Sequence, residues 1–330
     1  HFGGTLPKRP RGDWDYWQKP VPGDTSGTLW TEIHPYEDLP RVVDPPSGWV
    51  QNANEPPFTA TLPPTEGIRP ERFPAYLTPR AFPDQRLHRP QRSINLIAGD
   101  SSMTLEEMAA YKSDTRMGAA DRLLDDLFEA VPAEASNRVR RASDVLHEWD
   151  RTADAESQGS VLFLQWHQRL LQTEGSPYET SYALSEPRQT PDGLADPDRA
   201  VEVLAEAARV VEDRFDSLDV PWGAVHRLPG RDTTYAASGG PGYHGLFRTL
   251  YFGRPEGGRR VARGGNSYVA VTEFTADGPR ARAILPYGNA SQEGSPHRYD
   301  QMSLFAEKKM RRLWLERDSV EAHTAERTRW

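Results

Sequence analysis

Cysteine is absent from the 330 residues. This excludes disulfides, thiolate zinc sites and cysteine nucleophiles, and leaves the compartment open. No run of about 18 apolar residues occurs, so no segment reads as a membrane-spanning helix. A secretory signal pattern is missing as well. Lysine is scarce, at positions 8, 19, 112, 308 and 309 against a Lys+Arg total of 40. The arginines are scattered among acids and the net charge is −8, a balance that disfavours nucleic acid as a partner. The nine histidines include no HExxH and no pair at helical spacing, so metal ligation by them lacks support. His147, beside Trp149, reads as a helix-surface or core residue. There is no GxSxG elbow, and an α/β-hydrolase triad is unsupported. Gly240-Pro241-Gly242-Tyr243-His244-Gly245 matches GxGxxG literally. A dinucleotide site needs a strand before it and a helix after it, whereas the strand-like FRTLYF follows and a proline sits inside, so the stretch reads as a structural turn.

Hydrophobic residues make up 36% of the chain and charged residues 27%, enough for packed cores and against wholesale disorder. The length suits two or three units sharing a core. Proline divides the chain: 17 of the 29 fall in residues 1–90, so that part reads as extended segments and turns, among them those at Pro45-Pro46, Pro63-Pro64, Pro79 and Pro83. Trp14, Trp17, Trp30 and Trp49 lie in it and predict that this coil packs onto something. A helical block follows. Thr104-Leu105-Glu106-Glu107 forms a capping box, with Leu105, Met108 and Ala109 as the apolar stripe after it. Leu123, Leu124, Leu127, Phe128 and Val131 recur at helical spacing, as do Val139, Ala142, Val145, Leu146 and Trp149. Ser157 is the candidate start of a further helix through Val161, Leu164, Gln165 and Leu171. Val201, Leu204, Ala208, Val211 and Phe215 give the cleanest amphipathic helix. The last third alternates as strands at 247–252, 267–274 and 280–287, with Asp277-Gly278 as a hairpin signal. Residues 299–315 return to helix through Met302, Phe305, Met310 and Leu313.

The unusual segment is SGWVQNANEPPF at 47–58. Trp49 and Val50 read as a short strand with the Asn pair at its end, and in an extended segment Asn52 and Asn54 share a side. An Asn amide can donate to a developing oxyanion without titrating. The competing reading, which the pattern alone favours, is an Asx turn before Pro56-Pro57.

PPSGWVQNANEPPF, RPQRSINLI, TLEEMAAYKSDT, LHEWDR, GGNSYVAVTEF and EGSPHRYDQMSLF occur in the order seen in the penicillin acylase family, which the chain resembles from about Leu6 to about Leu313. The likeness is greatest to the acyl-homoserine-lactone and aculeacin-type lipopeptide acylases. The resemblance implies an α+β fold, the C-terminal part of an αββα N-terminal-nucleophile hydrolase with a helical insertion. Residues 1–100 would carry the Pro-rich segments, core strands and oxyanion Asn, residues 101–220 a helical block walling the cleft, and residues 221–330 a β-rich return to the core sheets plus a C-terminal helix.

The resemblance further implies hydrolysis of a linear amide, with removal of an acyl group by a Ser at the N-terminus of a processed β chain. That Ser is nucleophile and, through its α-amino group, general base. Asn54 matches the family's side-chain oxyanion donor. Arg89 matches the Arg that steadies the active-site Asn and the amino terminus, with Arg86 and Arg92 as neighbouring alternatives. Asn52 supports the strand end. Because the chain starts at His1, the nucleophile is expected upstream, and this piece is expected to be inactive and poorly stable alone. Its partners would be the α chain and the N-terminal part of the β chain of the same precursor, together with a small-molecule acyl amide: an acyl-homoserine lactone, a lipopeptide or a penicillin-like amide. No cofactor is assigned. Calcium occurs in some family members, and one of its carboxylate positions falls near Thr65-Glu66, where no metal is assigned. Family members are usually periplasmic or secreted. The alternative is a non-catalytic binding or scaffold protein that keeps the fold.

Overall fold

Proline shapes the first part of the chain. The computed structural model describes residues 6–10, 14–17, 19–74, 76–77 and 88–327. The sequence-based readings at Pro79, Pro83 and Arg86 lie outside them. After the short helix α1 (Trp14–Trp17), residues 19–74 form turns and 3-10 segments; Pro57–Thr59 and Pro70–Arg72 each begin on a proline, where no backbone donor is needed. No strand runs through Trp49-Val50; a backbone hydrogen bond from Gln51 N to Ala60 O (2.8 Å) helps tie that loop. Among described residues before 100 there is one isolated bridge, Pro7 to Ile33, so the core strands expected there are not found in them. The aromatic coil is only partly packed. Leu39, Phe73 and Leu77 form a small cluster, while Trp30 is 60% exposed.

A helix that the proline count hid follows: α2 (His88–Ile97). Pro90 stands in its first turn, where the missing N–H has no intrahelical partner to lose. α3 (Leu105–Lys112) starts at the expected capping box. Glu107 N donates to Thr104 Oγ1 (3.2 Å) and Thr104 N to Glu107 Oε2 (2.8 Å). Its expected apolar stripe is not a core face: α3 buries no residue and Met108 is 37% exposed.

The main core is helical. α4 (Ala120–Ala130), α5 (Asn137–Glu148), α6 (Ser160–Leu170) and α7 (Pro197–Phe215) pack together around the stripes read from the sequence. Leu123, Leu124 and Leu127 are fully buried, each worth about 1.5–3 kcal/mol of transfer free energy. His147 is on the exposed face of α5. α6 begins at Ser160, after a left-handed Gly159, and is buried on most of its circumference, with Gln165, Gln168 and Arg169 on the partly exposed side. α7 opens on Pro197 with Asp196 accepting from Arg199 N (2.9 Å).

Between α6 and α7, β1 (Tyr178–Thr180) and β2 (Asp192–Leu194) form a two-stranded ribbon. After α8 (Trp222–Val225), a four-stranded sheet has the order β4 (Thr234–Ala236), β3 (His226–Pro229), β6 (Arg260–Gly265), β5 (Leu250–Phe252). β7 (Val269–Thr275) and β8 (Gly278–Ile284) make the hairpin, with Gly278 rather than Asp277 beginning the return strand. The helix expected over 299–315 stops early. α9 covers Met302–Ala306, Lys308 turns left-handed at φ 58°, and β9 (Arg311–Leu313) pairs with Ala281–Ala283 of β8. Pairing with a strand some thirty residues away overrides the local helical pattern. The short helix α10 (Arg317–Ala322) is the last helix or strand among the described residues. A second apolar core, with Leu228, Leu250, Met302 and Phe305, lies between the sheets and α9.

The 240–245 stretch is a turn, as read from the sequence, containing the 3-10 segment Gly242–His244. Gly245 has φ 93°, and a Cβ there would lie 2.5 Å from Gly118 N. Only glycine lets these two turns touch, and Ala119 N donates to His244 O (3.1 Å) across the contact. The same 3-10 turn packs on the start of α2.

Candidate active site

The loop at 51–55 is built around a buried carboxylate. Glu55 accepts from Ala53 N (2.6 Å) and from Gln51 Nε2 (2.5 Å), and Gln51 Nε2 also donates to Thr59 O (2.9 Å). Asn52 makes the Asx turn: its Oδ1 accepts from Asn54 N (3.0 Å) and its Nδ2 donates to Glu55 O (3.3 Å). These bonds bring Asn54 to φ 68°, a left-handed conformation that Asn adopts more readily than most residues. The two asparagines are therefore not on one side of an extended segment. Asn52 is consumed in the turn, and Asn54 projects from it exposed.

Burial raises the Glu55 carboxyl above its ordinary value, against the hydrogen bonds from Ala53 and Gln51 and the Arg89 charge, which favour the ionised form. The Tyr182 phenol is pushed up to about 12 by burial and by the Glu55 carboxylate.

Arg89, in the first turn of α2, reaches this loop. Its Nη2 donates to Ala53 O and to Asn54 Oδ1, the latter at 2.7 Å. A guanidinium has donors and no acceptor, so it fixes which end of the Asn54 amide it meets. Oδ1 faces Arg89 and the Nδ2 donors face away. The structure thus brings together residues 54 and 89, 35 apart in sequence. Arg92, one turn further on, is committed elsewhere, with Nε and Nη2 on Asp114 at 2.8 and 2.6 Å.

The base of α2 is anchored in buried rings. His88 Nε2 meets Tyr178 OH at 2.6 Å, and beside it His167 and His244 face each other, Nδ1 to Nδ1 at 2.7 Å. On the other side, the Lys112 amine is lowered to about 8 by burial first, then by the Arg89 and Arg248 cations, and stands 4.5 Å from the Phe247 ring centre. Glu55, Lys112 and the histidine cluster were not picked out from the sequence. The only signal for Glu55 was its place directly after Asn54; the others become neighbours of the site only through packing.

At Thr65-Glu66 the Glu66 carboxylate is paired with Arg69 Nε at 2.7 Å. Among the described residues no group of three or more His, Asp or Glu side chains is placed to hold a metal ion, and no helix is long and apolar enough to cross a membrane.

Comparison with known proteins gives one consistent picture. The family model described as penicillin amidase matches residues 1–322. The acyl-homoserine lactone acylase PvdQ of Pseudomonas putida is 27% identical over 270 residues, covering 79% of this chain and 33% of that protein. The penicillin acylase 2 proenzyme of a Pseudomonas species is 27% identical over 159 residues, 48% of this chain and 18% of that protein. The chain thus spans a third or less of the length of these relatives. Among solved structures, a thermostable penicillin G acylase from Alcaligenes faecalis aligns over 99% of this chain and 64% of its own, with a TM-score of 0.56 at 16% identity. That similarity establishes the mixed α and β fold.

Proposed function

Because this chain belongs to the penicillin amidase family, we propose that it forms part of an amidohydrolase in which Asn54 stabilises the oxyanion of acyl transfer. In this reading the nucleophile is a Ser at the N-terminus of the mature β chain, outside these 330 residues. Its Oγ attacks the amide carbonyl carbon, and the C=O electron pair moves to oxygen. The Ser proton passes to the α-amino group, whose ordinary pKa near 8 suits that task around neutrality. The tetrahedral intermediate collapses with cleavage of C–N, the proton goes to the leaving amine, and water hydrolyses the acyl ester. Asn54 Nδ2 donates to the oxygen while it carries negative charge, together with a backbone amide from the upstream part of the β chain.

One observation carries the assignment: Arg89 holds the oxygen end of the Asn54 amide at 2.7 Å, which turns the donor end outward and keeps it there. Asn54 is also exposed, so a ligand can reach it. The substrate is an amide of an acyl group; the names of the relatives favour an acyl-homoserine lactone or a penicillin-like amide. The α chain and the upstream β segment complete the site, and the mature protein is exported to the periplasm or the medium. Replacing Asn54 by Ala in the full-length processed enzyme lowers kcat by about 10²–10³-fold. Wild-type turnover in that variant refutes the reading.

A further inference from the structure

We propose that Gly242 is a positioning residue for Arg89, and through it for the Asn54 amide; the inference rests on the oxyanion reading above. Residues 239–245 contain four glycines, and three of them are explained without reference to the site. Gly239 and Gly245 have φ of 98° and 93°, where a side chain strains the backbone. Gly240 lies against the core: a Cβ there would meet Trp222 Cζ2 at 3.0 Å and Leu246 Cδ1 at 3.4 Å. Gly242 has neither reason. It follows Pro241 as the first residue of the 3-10 segment Gly242–His244 and has no left-handed φ. What a Cβ at this buried position would meet is Arg89, with Cδ at 3.2 Å and Nε at 3.3 Å, and then Thr249 Oγ1 at 3.4 Å.

The missing side chain is therefore the space through which the Arg89 stem runs on its way to the 51–55 loop. A guanidinium is rigid and planar, so a push on Nε is carried to Nη2 at its other end. Nη2 is the atom that donates to both Ala53 O and Asn54 Oδ1. A few tenths of an ångström at Nε lengthen the charge-assisted bond to Asn54 and free its amide to rotate. The Gly-rich stretch, which binds no nucleotide in this reading, thus has a site-specific task at one of its glycines. The active-site Asn is then set by three layers: loop 51–55, Arg89, and the turn behind Arg89.

The test is a double-mutant cycle in the full-length processed enzyme, with a chromogenic N-acyl anilide as the probe. Asn54→Ala and Arg89→Ala are measured first. If Asn54→Ala turns over like wild type, the oxyanion reading fails and this inference fails with it. If both slow turnover, Gly242→Ala is expected to lower kcat about three- to tenfold with KM within twofold and an unchanged melting midpoint. Gly242→Val is expected to approach Arg89→Ala. In the Arg89→Ala background, where the space is vacant, Gly242→Ala is expected to cost nothing further. A wild-type kcat for Gly242→Ala overturns the inference while leaving the oxyanion reading standing. So does an equal loss in both backgrounds, which would make the glycine a requirement of the turn alone.

Discussion

Arg89 and Asn54 are joined by a hydrogen bond of 2.7 Å that runs from a guanidinium to an amide oxygen. Because the cation can only donate, the bond orients the amide and not merely its position. Lys in place of Arg89 keeps the charge, but its three N–H donors rotate on a flexible stem and are not fixed in the planar geometry with which Nη2 meets both Ala53 O and Asn54 Oδ1. Arg89→Lys is expected to lower kcat about tenfold or more with little change in the melting midpoint, read from steady-state kinetics and a thermal melt. Full activity in the Lys variant would show that charge alone suffices.

Glu55 gives a second prediction. Its carboxylate accepts from Ala53 N and Gln51 Nε2 while only 9% exposed. In Glu55→Gln one side-chain oxygen becomes an NH2 that faces a donor. Leaving one of these buried donors unmatched costs about 1–3 kcal/mol, read as a drop in the denaturant midpoint, and kcat falls because Asn54 rides on the same turn. Unaltered stability and turnover together would remove the carboxylate from the account.

The histidines set the acid limit of the fold. Burial holds His88, His226 and His244 down to about 3, and holds His167 well below its ordinary value. The unfolded chain binds these protons near pH 6.5 and the folded chain does not, so their contribution is complete above 6.5 and is lost as pH falls from 6.5 towards 3. Each group contributes a slope on the order of 1 kcal/mol per pH unit inside that window. His167 and His244 add a geometric reason, since their facing Nδ1 atoms at 2.7 Å have room for one proton. Glu55, with its carboxyl raised by burial, works in the opposite sense, one group against four. The melting midpoint is expected to fall steeply between pH 7 and pH 4.5, and less steeply in His226→Gln. A flat midpoint across that range would contradict the neutral buried rings.

The sequence was most readable where structure is local or where one face meets a core. Leu123, Leu124 and Leu127 marked α4 because burial on one side imposes the helical period, and Thr104 with Glu107 marked the start of α3 because a capping box needs no distant partner. Met108 misled, because a short helical pattern looks the same whether or not a core lies beneath it. Residues 307–315 misled for a non-local reason: Arg311–Leu313 pairs with β8. α2 was hidden by the proline density around it, although Pro90 sits where helices tolerate proline. At the site, Asn54 and Arg89 were named through family resemblance, whereas an Asx turn before Pro56-Pro57 was legible from the segment's own chemistry; Asn52 closes that turn and does not support a strand end. Gly242 was legible only as part of a structural turn and Lys112 carried no local sign, since the fold alone brings Arg89 beside each of them.

The claim that most of this rests on is that the Asn54 amide meets the carbonyl oxygen once it is charged, and not before. The direct measurement compares, in wild type and Asn54→Ala full-length enzyme, the affinity for a tetrahedral acyl-phosphonate or boronate analogue with the affinity for the uncleaved amide. The account predicts a loss of about 100-fold or more for the analogue and a change within threefold for the amide. Equal losses for both, or none for the analogue, would contradict it.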